Sequence, residues 1–143
     1  MAVVEKSVLI ERSAMQMFDL VDGVEDYPKF LPWCGGTDLL ERNESITSAR
    51  IHINYHGLKA HFSTENAKEY PHKMTLKLRE GPFRHLDGLW RFTPLGDAAC
   101  KVEFRLHYEF SSKLLEKALG PVFSHIASTF IESFVKRAQQ IYG

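Results

Sequence analysis

Between about Gly36 and Phe110 apolar and polar residues alternate along the chain, and this alternation constrains the fold more than any other feature. A period of two residues is typical of β-strands that bury one face. Turn-forming residues interrupt the pattern at short intervals, so successive strands are predicted to pair as an antiparallel meander. The predicted turns lie at Asn43, Gly57, Tyr70-Pro71, Gly81-Pro82 and Gly96-Asp97.

One face of the predicted sheet is apolar, and the segment that follows it supplies a cover. This segment is predicted to form one long helix that begins at Ser111 or Ser112 and ends at Tyr142. Its apolar residues come in pairs spaced by four positions, so on a straight helix the apolar stripe drifts by about 40° per pair. A helix held in a strongly curled sheet, or one interrupted at Gly120-Pro121, accommodates this drift.

The N-terminal part is predicted to contribute one strand and two short helices. Alternation from Val3 to Arg12 indicates the strand. Ser13 is a suitable N-cap for the first helix, and Gly23 is expected to end it. Residues Val24–Phe30 are predicted to form a further helical turn or two before Pro32.

This order of elements predicts an α+β helix-grip fold, with residues 1–143 as a single domain. A curled antiparallel sheet of about seven strands wraps around the C-terminal helix, with two short helices after the first strand. Such a sheet closes its core incompletely, which predicts an apolar cavity in the ~300–1,000 Å³ range of ligand pockets. Tyr55 and Tyr108 are its expected polar groups. The predicted lining consists of Tyr55, Phe62, Met74, Leu76, Leu78, Trp90, Phe92, Phe104, Leu106, Tyr108, Phe123, Ile126, Phe130 and Phe134.

The segment Tyr27–Cys34 is rich in aromatic residues and contains two prolines, although a surface loop is normally polar. Two interpretations are open. The segment plugs one end of the sheet as part of the core, or it forms a rigid apolar lip at the mouth of the cavity. The second interpretation adds Tyr27, Phe30, Leu31 and Trp33 to the candidate ligand-binding residues.

The sequence contains no clear catalytic or metal-binding pattern. His52 and His56 are four residues apart, a ligand spacing that works only on a helix, and they lie in a predicted strand. His85 beside Arg84 resembles an acid–base pair, but no carboxylate or nucleophile is spaced to complete it, so both are predicted at the surface. The two cysteines are predicted to be free thiols. We expect no metal, no catalytic residue and no cofactor besides a bound ligand.

Charge and hydropathy argue against other classes of protein. Eighteen basic residues balance 18 acidic ones, which is unlike a protein that coats DNA or an anionic membrane. No apolar stretch approaches the ~20 residues that span a bilayer. The first residues lack the pattern of a signal peptide or presequence, so a cytoplasmic location is expected.

Five segments of the chain carry a family resemblance that extends over about residues 3 to 142. They are Tyr27–Cys34, Gly81–Phe92, Val102–Phe104, Tyr108–Ser111 and Gly120–Phe123. In these segments the chain resembles the coenzyme Q-binding and bacterial ribosome association toxin branch of the START-like, polyketide-cyclase-like superfamily. It departs from the family pattern at Thr37, where a smaller residue is expected, and at Ser112-Lys113, where the cap usually contains asparagine.

The resemblance implies the helix-grip fold with a hydrophobic cavity and either of two activities. The main expectation is that the cavity binds ubiquinone or another isoprenoid lipid in support of respiration, a ligand compatible with peripheral membrane contact. The alternative is association with the large ribosomal subunit, which blocks subunit joining and so inhibits translation initiation. A third class, a cyclase-like enzyme, needs an inward acid–base group, and the inward positions offer only tyrosines. For the alternative, the outward strand residues show a modest basic excess: Lys73, Lys77, Arg79, Arg91, Lys101 and Arg105 against Asp87, Glu103 and Glu109.

Overall fold

The computed structural model describes residues 2–143 and contains the predicted elements in the predicted order. The strands follow the alternating segments, and the connections between them fall at the predicted turns. The second short helix is a 3-10 helix. The elements are β1 (Ala2–Ile10), α1 (Ala14–Asp22), the 3-10 helix (Val24–Lys29), β2 (Cys34–Arg42), β3 (Ile46–Tyr55), β4 (Leu58–Glu69), β5 (Lys73–Glu80), β6 (Phe83–Pro94), β7 (Cys100–Phe110) and α2 (Lys113–Tyr142).

The strands form one seven-stranded antiparallel sheet in the order β1-β7-β6-β5-β4-β3-β2. Strands β2 to β7 pair in sequence, as the meander prediction requires, and β1 adds to β7. The register shifts within β2, near Ser63 of β4 and at the start of β6. Such bulges increase the local twist and bend a sheet, which suits a sheet that curls around a helix. The predicted α+β fold class is confirmed.

Local capping explains where both helices begin. The Ser13 hydroxyl accepts a hydrogen bond from the backbone N–H of Gln16, and the Gln16 side chain accepts one from the Ser13 backbone N–H. The Ser112 hydroxyl accepts from the backbone N–H of Leu115 and so caps α2. The predicted caps at these two serines are therefore present.

Helix α2 runs without a break from Lys113 to Tyr142, so of the two arrangements expected for this segment the uninterrupted helix held by the curled sheet is present. Pro121 lies on the exposed side of the helix, where its missing N–H leaves no buried group unpaired. Because the apolar stripe drifts around the helix, some of its apolar residues point away from the sheet and stay exposed. The helix enters the core at Phe123, while Leu114 in its first turn remains 78% exposed.

A polar cluster fastens the end of α1 to the sheet. The Asp22 carboxylate accepts hydrogen bonds from the Thr47 hydroxyl at 2.7 Å and the Lys68 ammonium at 3.2 Å. The Arg42 guanidinium donates to the Asp22 carbonyl and to both carboxylate oxygens of Glu25, each at 2.7 Å. This hydrogen bonding by Arg42 lowers the pKa of Glu25 to about 2. The cluster holds α1 and the 3-10 helix over one end of the sheet.

Candidate functional site

The sheet and the helices enclose an apolar cavity of about 70 Å³. Strands β3 to β7, α1, the 3-10 helix and α2 all contribute side chains to its wall. This volume is several times the ~10–15 Å³ that one water molecule needs, but far below the ~300–1,000 Å³ of typical ligand pockets. The cavity is therefore present, and the prediction of its size is wrong because aromatic side chains fill most of the space.

Most of the predicted ligand-binding residues line this cavity. They come from the inward positions of the strands, from the aromatic segment before β2 and from one side of α2. The lining residues that the sequence predicted are Tyr27, Trp33, Phe62, Met74, Leu76, Trp90, Phe104, Leu106, Phe123, Ile126 and Phe130.

Two predicted lining residues lie near the ends of strands, outside the cavity wall. Tyr55 is the last residue of β3, where its half-buried ring stacks on His125 with centroids 5.7 Å apart. Leu78 lies towards the end of β5, close to Gly81. Both occupy the inward side of their strands as predicted, but the cavity lies deeper between sheet and helix.

Three other predicted residues form an aromatic layer around the cavity rather than its wall. Phe92 packs parallel to Trp90, with ring centroids 6.0 Å apart. The Tyr108 ring lies 4.7 Å from that of Phe123, and the Phe134 ring lies 5.4 Å from that of Trp90. Trp90 and Phe123 line the cavity, whereas Phe92, Tyr108 and Phe134 pack against them and do not line it as predicted.

The aromatic segment before β2 belongs to the core and, in part, to the cavity wall. Tyr27 and Trp33 are buried and line the cavity, which agrees with both interpretations of the segment. Leu31 is buried in the core, and Phe30 is half-buried, with the Arg137 guanidinium 5.3 Å from its ring centroid. Phe30 and Leu31 do not line the cavity.

The polar groups of the cavity are Thr64 and Asn66, which the sequence reasoning missed. Both are buried, and the Thr64 hydroxyl donates a 2.9 Å hydrogen bond to the Asn66 side-chain oxygen. They continue the inward alternation of Leu58, Ala60 and Phe62 on β4, so extending that period by four residues would have found them. The other missed lining residues are Val21, Val24, Ala49, Ile51, Leu86 and Ala127.

No acidic or basic side chain lines the cavity within residues 2–143. The Tyr27 hydroxyl donates to the Val21 carbonyl, and burial raises the pKa of this tyrosine. It is therefore a neutral, already bonded group. The cavity can surround an apolar molecule and offer it the hydroxyl and amide of Thr64 and Asn66, but it contains no group suited to proton transfer at neutral pH.

The outward face of the sheet is charged, and some of its cations have acidic neighbours. Arg105 lies 3.2 Å from Glu5, and Arg84 lies 3.2 Å from Glu109. Of the six cations in the predicted basic excess, Lys73 and Arg105 have an acidic partner within 4.0 Å, Glu69 and Glu5 respectively. Within residues 2–143, the other four form no such ion pair: Lys77, Arg79, Arg91 and Lys101.

The expectation that no carboxylate is spaced to complete a pair with His85 is wrong, because Asp87, two residues further on, lies 2.7 Å from it. His85 does not line the cavity.

The histidines and cysteines form no reactive centre in the part of the chain that the structure describes. No group of three or more His, Cys, Asp and Glu side chains there is placed to hold a metal ion. Cys34 and Cys100 are free and buried, and burial raises the pKa of both thiols. Neither helix of residues 2–143 combines the length and apolar character needed to cross a membrane.

Comparison with protein families matches residues 10–135 to the model described as polyketide cyclase/dehydrase and lipid transport. The chain belongs to this family. This match confirms the resemblance noted in the sequence. The matched residues extend from the last residue of β1 through most of α2.

Curated relatives of this chain include proteins named for ribosome association and for coenzyme Q binding. A protein of Vibrio cholerae serotype O1 named ribosome association toxin RatA is 44% identical over 140 residues, which cover 98% of this chain and 97% of the relative. A Xenopus laevis protein named coenzyme Q-binding protein COQ10 homolog B, mitochondrial, is 27% identical. That match covers 96% of this chain and 58% of the relative.

Several solved structures share the fold of this chain. The Zhui aromatase/cyclase of Streptomyces sp. R1128 superposes with a TM-score of 0.81 at 14% identity, covering 99% of this chain and 96% of that one. A START superfamily protein of Mycobacterium smegmatis gives a TM-score of 0.75 at 21% identity, covering 97% and 98%. At these identities the likeness establishes the START-like fold alone.

Proposed function

We propose that this protein associates with the large ribosomal subunit and inhibits translation initiation by blocking subunit joining. The similarity to ribosome association toxins along nearly the whole of both chains carries the proposal. It includes 44% identity to the Vibrio cholerae protein and 37% identity to the Escherichia coli K12 protein. The proposal replaces quinone binding, our main expectation from the sequence, as the preferred function, and it implies a cytoplasmic location, where ribosomes are.

The dimensions of the cavity support this preference. A volume of about 70 Å³ is too small for a quinone ring with an isoprenoid chain unless several buried aromatic side chains move. The absence of acidic and basic side chains from the described cavity wall also favours a binding role over a catalytic one.

Sucrose-gradient sedimentation with purified ribosomal subunits tests the proposal. We expect the protein to migrate with the large subunit and not with the small subunit. When it is added before the subunits are mixed, it should reduce the peak of joined ribosomes. A protein that stays at the top of the gradient at low salt, with an unchanged peak of joined ribosomes, would contradict it.

Binding of a small hydrophobic molecule in the cavity is the second candidate function. The apolar wall with one hydrogen-bonding pair, Thr64 and Asn66, favours it, as does the 27% identity to a relative named for coenzyme Q binding. Native mass spectrometry of protein purified from its own host, followed by lipid extraction, tests it. We expect a bound isoprenoid lipid that is lost in a variant with a filled cavity. Protein with no adduct, and no binding of added ubiquinone, would contradict this candidate.

A further inference from the structure

The turn between β4 and β5 carries an exposed aromatic ring in a groove. Tyr70 is 50% exposed and is the sole aromatic residue among the exposed large hydrophobic side chains of residues 2–143. Its ring meets that of Phe18 edge-on at 4.9 Å, which holds it in place from one side. The groove beside it has a volume of about 430 Å³ and is also lined by His72, Lys73 and Arg91.

Two cations face each other directly in this groove. In the register of β5 and β6, Lys73 is the partner of Arg91, on the outward face of the sheet. Like charges at directly opposed positions destabilise a sheet. On the same face, neighbouring pairs match opposite charges, such as Lys77 with Asp87 and Arg91 with Glu103. The Lys73–Arg91 pair departs from this pattern, and a bound anion would reduce the repulsion between the two cations.

Arg91 is also the one arginine in residues 2–143 without a hydrogen bond, an ion pair within 4.0 Å or an aromatic partner. Lys73 approaches only Glu69, at 3.7 Å, which is a long contact. Glu69 lines the groove opposite Lys73, and Glu103 is the register partner of Arg91. The Tyr70 hydroxyl donates to the Asp19 carboxylate at 3.4 Å, so the groove is not strongly basic. Its donors are nevertheless free to bind a ligand.

We propose that the Tyr70 groove, formed by Tyr70, His72, Lys73 and Arg91, binds single-stranded RNA. An unstacked base lies on the exposed Tyr70 ring, and the Lys73 ammonium and Arg91 guanidinium bind the flanking phosphates. An exposed aromatic ring beside two cations favours RNA over an acidic protein as the ligand. RNA supplies both a base that stacks on the ring and phosphates for the cations, whereas an acidic protein supplies only carboxylates. The inference rests on the proposed ribosome association and names the surface that contacts ribosomal RNA.

Fluorescence anisotropy with a labelled 12-nucleotide single-stranded RNA tests the groove directly. Tyr70→Leu keeps an apolar contact to Phe18 but removes the ring, and we expect at least about fivefold weaker binding, whereas Tyr70→Phe should stay within about twofold of wild type. Replacing both cations, Lys73→Gln with Arg91→Gln, should lower the slope of log K against log salt by about 1.4. The matched control is Lys113→Gln with Lys117→Gln, an equal charge change in the exposed first turns of α2.

Sedimentation of the same variants with ribosomes separates this inference from the proposed function. If wild type does not migrate with the large subunit, the proposed function fails, whatever the RNA result. The groove assignment fails if wild type binds no RNA, if Tyr70→Leu binds like wild type, or if the groove and control double variants bind alike. If the groove variants lose ribosome binding but wild type does not bind the oligonucleotide, the groove contacts a ribosomal protein and the RNA assignment is overturned.

Discussion

Filling the cavity from helix α2 should stabilise the protein instead of straining it. Ala127 is buried and its side chain lines the cavity, so in Ala127→Leu the added carbons enter existing space. Empty cavity volume costs about 24 cal/mol per Å³, so filling all of the 70 Å³ would add about 1.7 kcal/mol to the free energy of unfolding. Partial filling should give a gain between zero and that limit.

A matched variant on the same helix provides the control. Ala138 is also buried in α2 but does not line the cavity, so Ala138→Leu must displace packed neighbours. Overpacking of this kind costs ~1–3 kcal/mol. The two variants therefore make the same chemical change, but their expected effects on the free energy of unfolding have opposite signs.

Urea denaturation, with equal m-values required for a valid comparison, measures both free energies of unfolding. At about 2–4 °C per kcal/mol for a protein of this size, Ala127→Leu should raise the melting temperature by up to about 3–7 °C. If Ala127→Leu lowers the stability as much as Ala138→Leu does, the cavity is not usable space, and the argument for a buried ligand site loses its basis.

Three further results are expected. Glu25→Gln should cost up to ~1 kcal/mol at neutral pH and much less near pH 2. Arg42 lowers the pKa of Glu25 to about 2, so the contribution of this carboxylate is complete above about 4.5 and is lost as the pH falls through about 2. An equal difference at both pH values in urea melts would contradict this. Thr64→Val should cost ~1–3 kcal/mol by leaving Asn66 without its partner, and adding Asn66→Leu should restore stability; a double variant less stable than the single one would argue against the pairing. Both buried thiols should react with a disulfide reagent only on unfolding, since burial raises their pKa, and fast labelling of the native protein would disprove it.

The sequence by itself determined the elements and their order, because these depend on local interactions. Alternation over a few residues specifies a strand and its inward side, and the Ser13–Gln16 capping box depends on residues three positions apart. The turn residues separate the strands closely enough that neighbours along the chain must pair. These features predicted the helix-grip fold and most of the cavity wall without knowledge of any long-range contact.

Only the tertiary structure decided how deep each inward residue lies and what remains of the space between sheet and helix. Phe92 of β6 and Phe134 of α2 carry the same local pattern as the lining residues, yet both pack against Trp90 and neither lines the cavity. The cavity volume is a small difference between a large enclosed space and the side chains that fill it, so no local pattern reports it. The opposition of Lys73 and Arg91 likewise depends on the register between β5 and β6, which brings together residues that are far apart in the sequence.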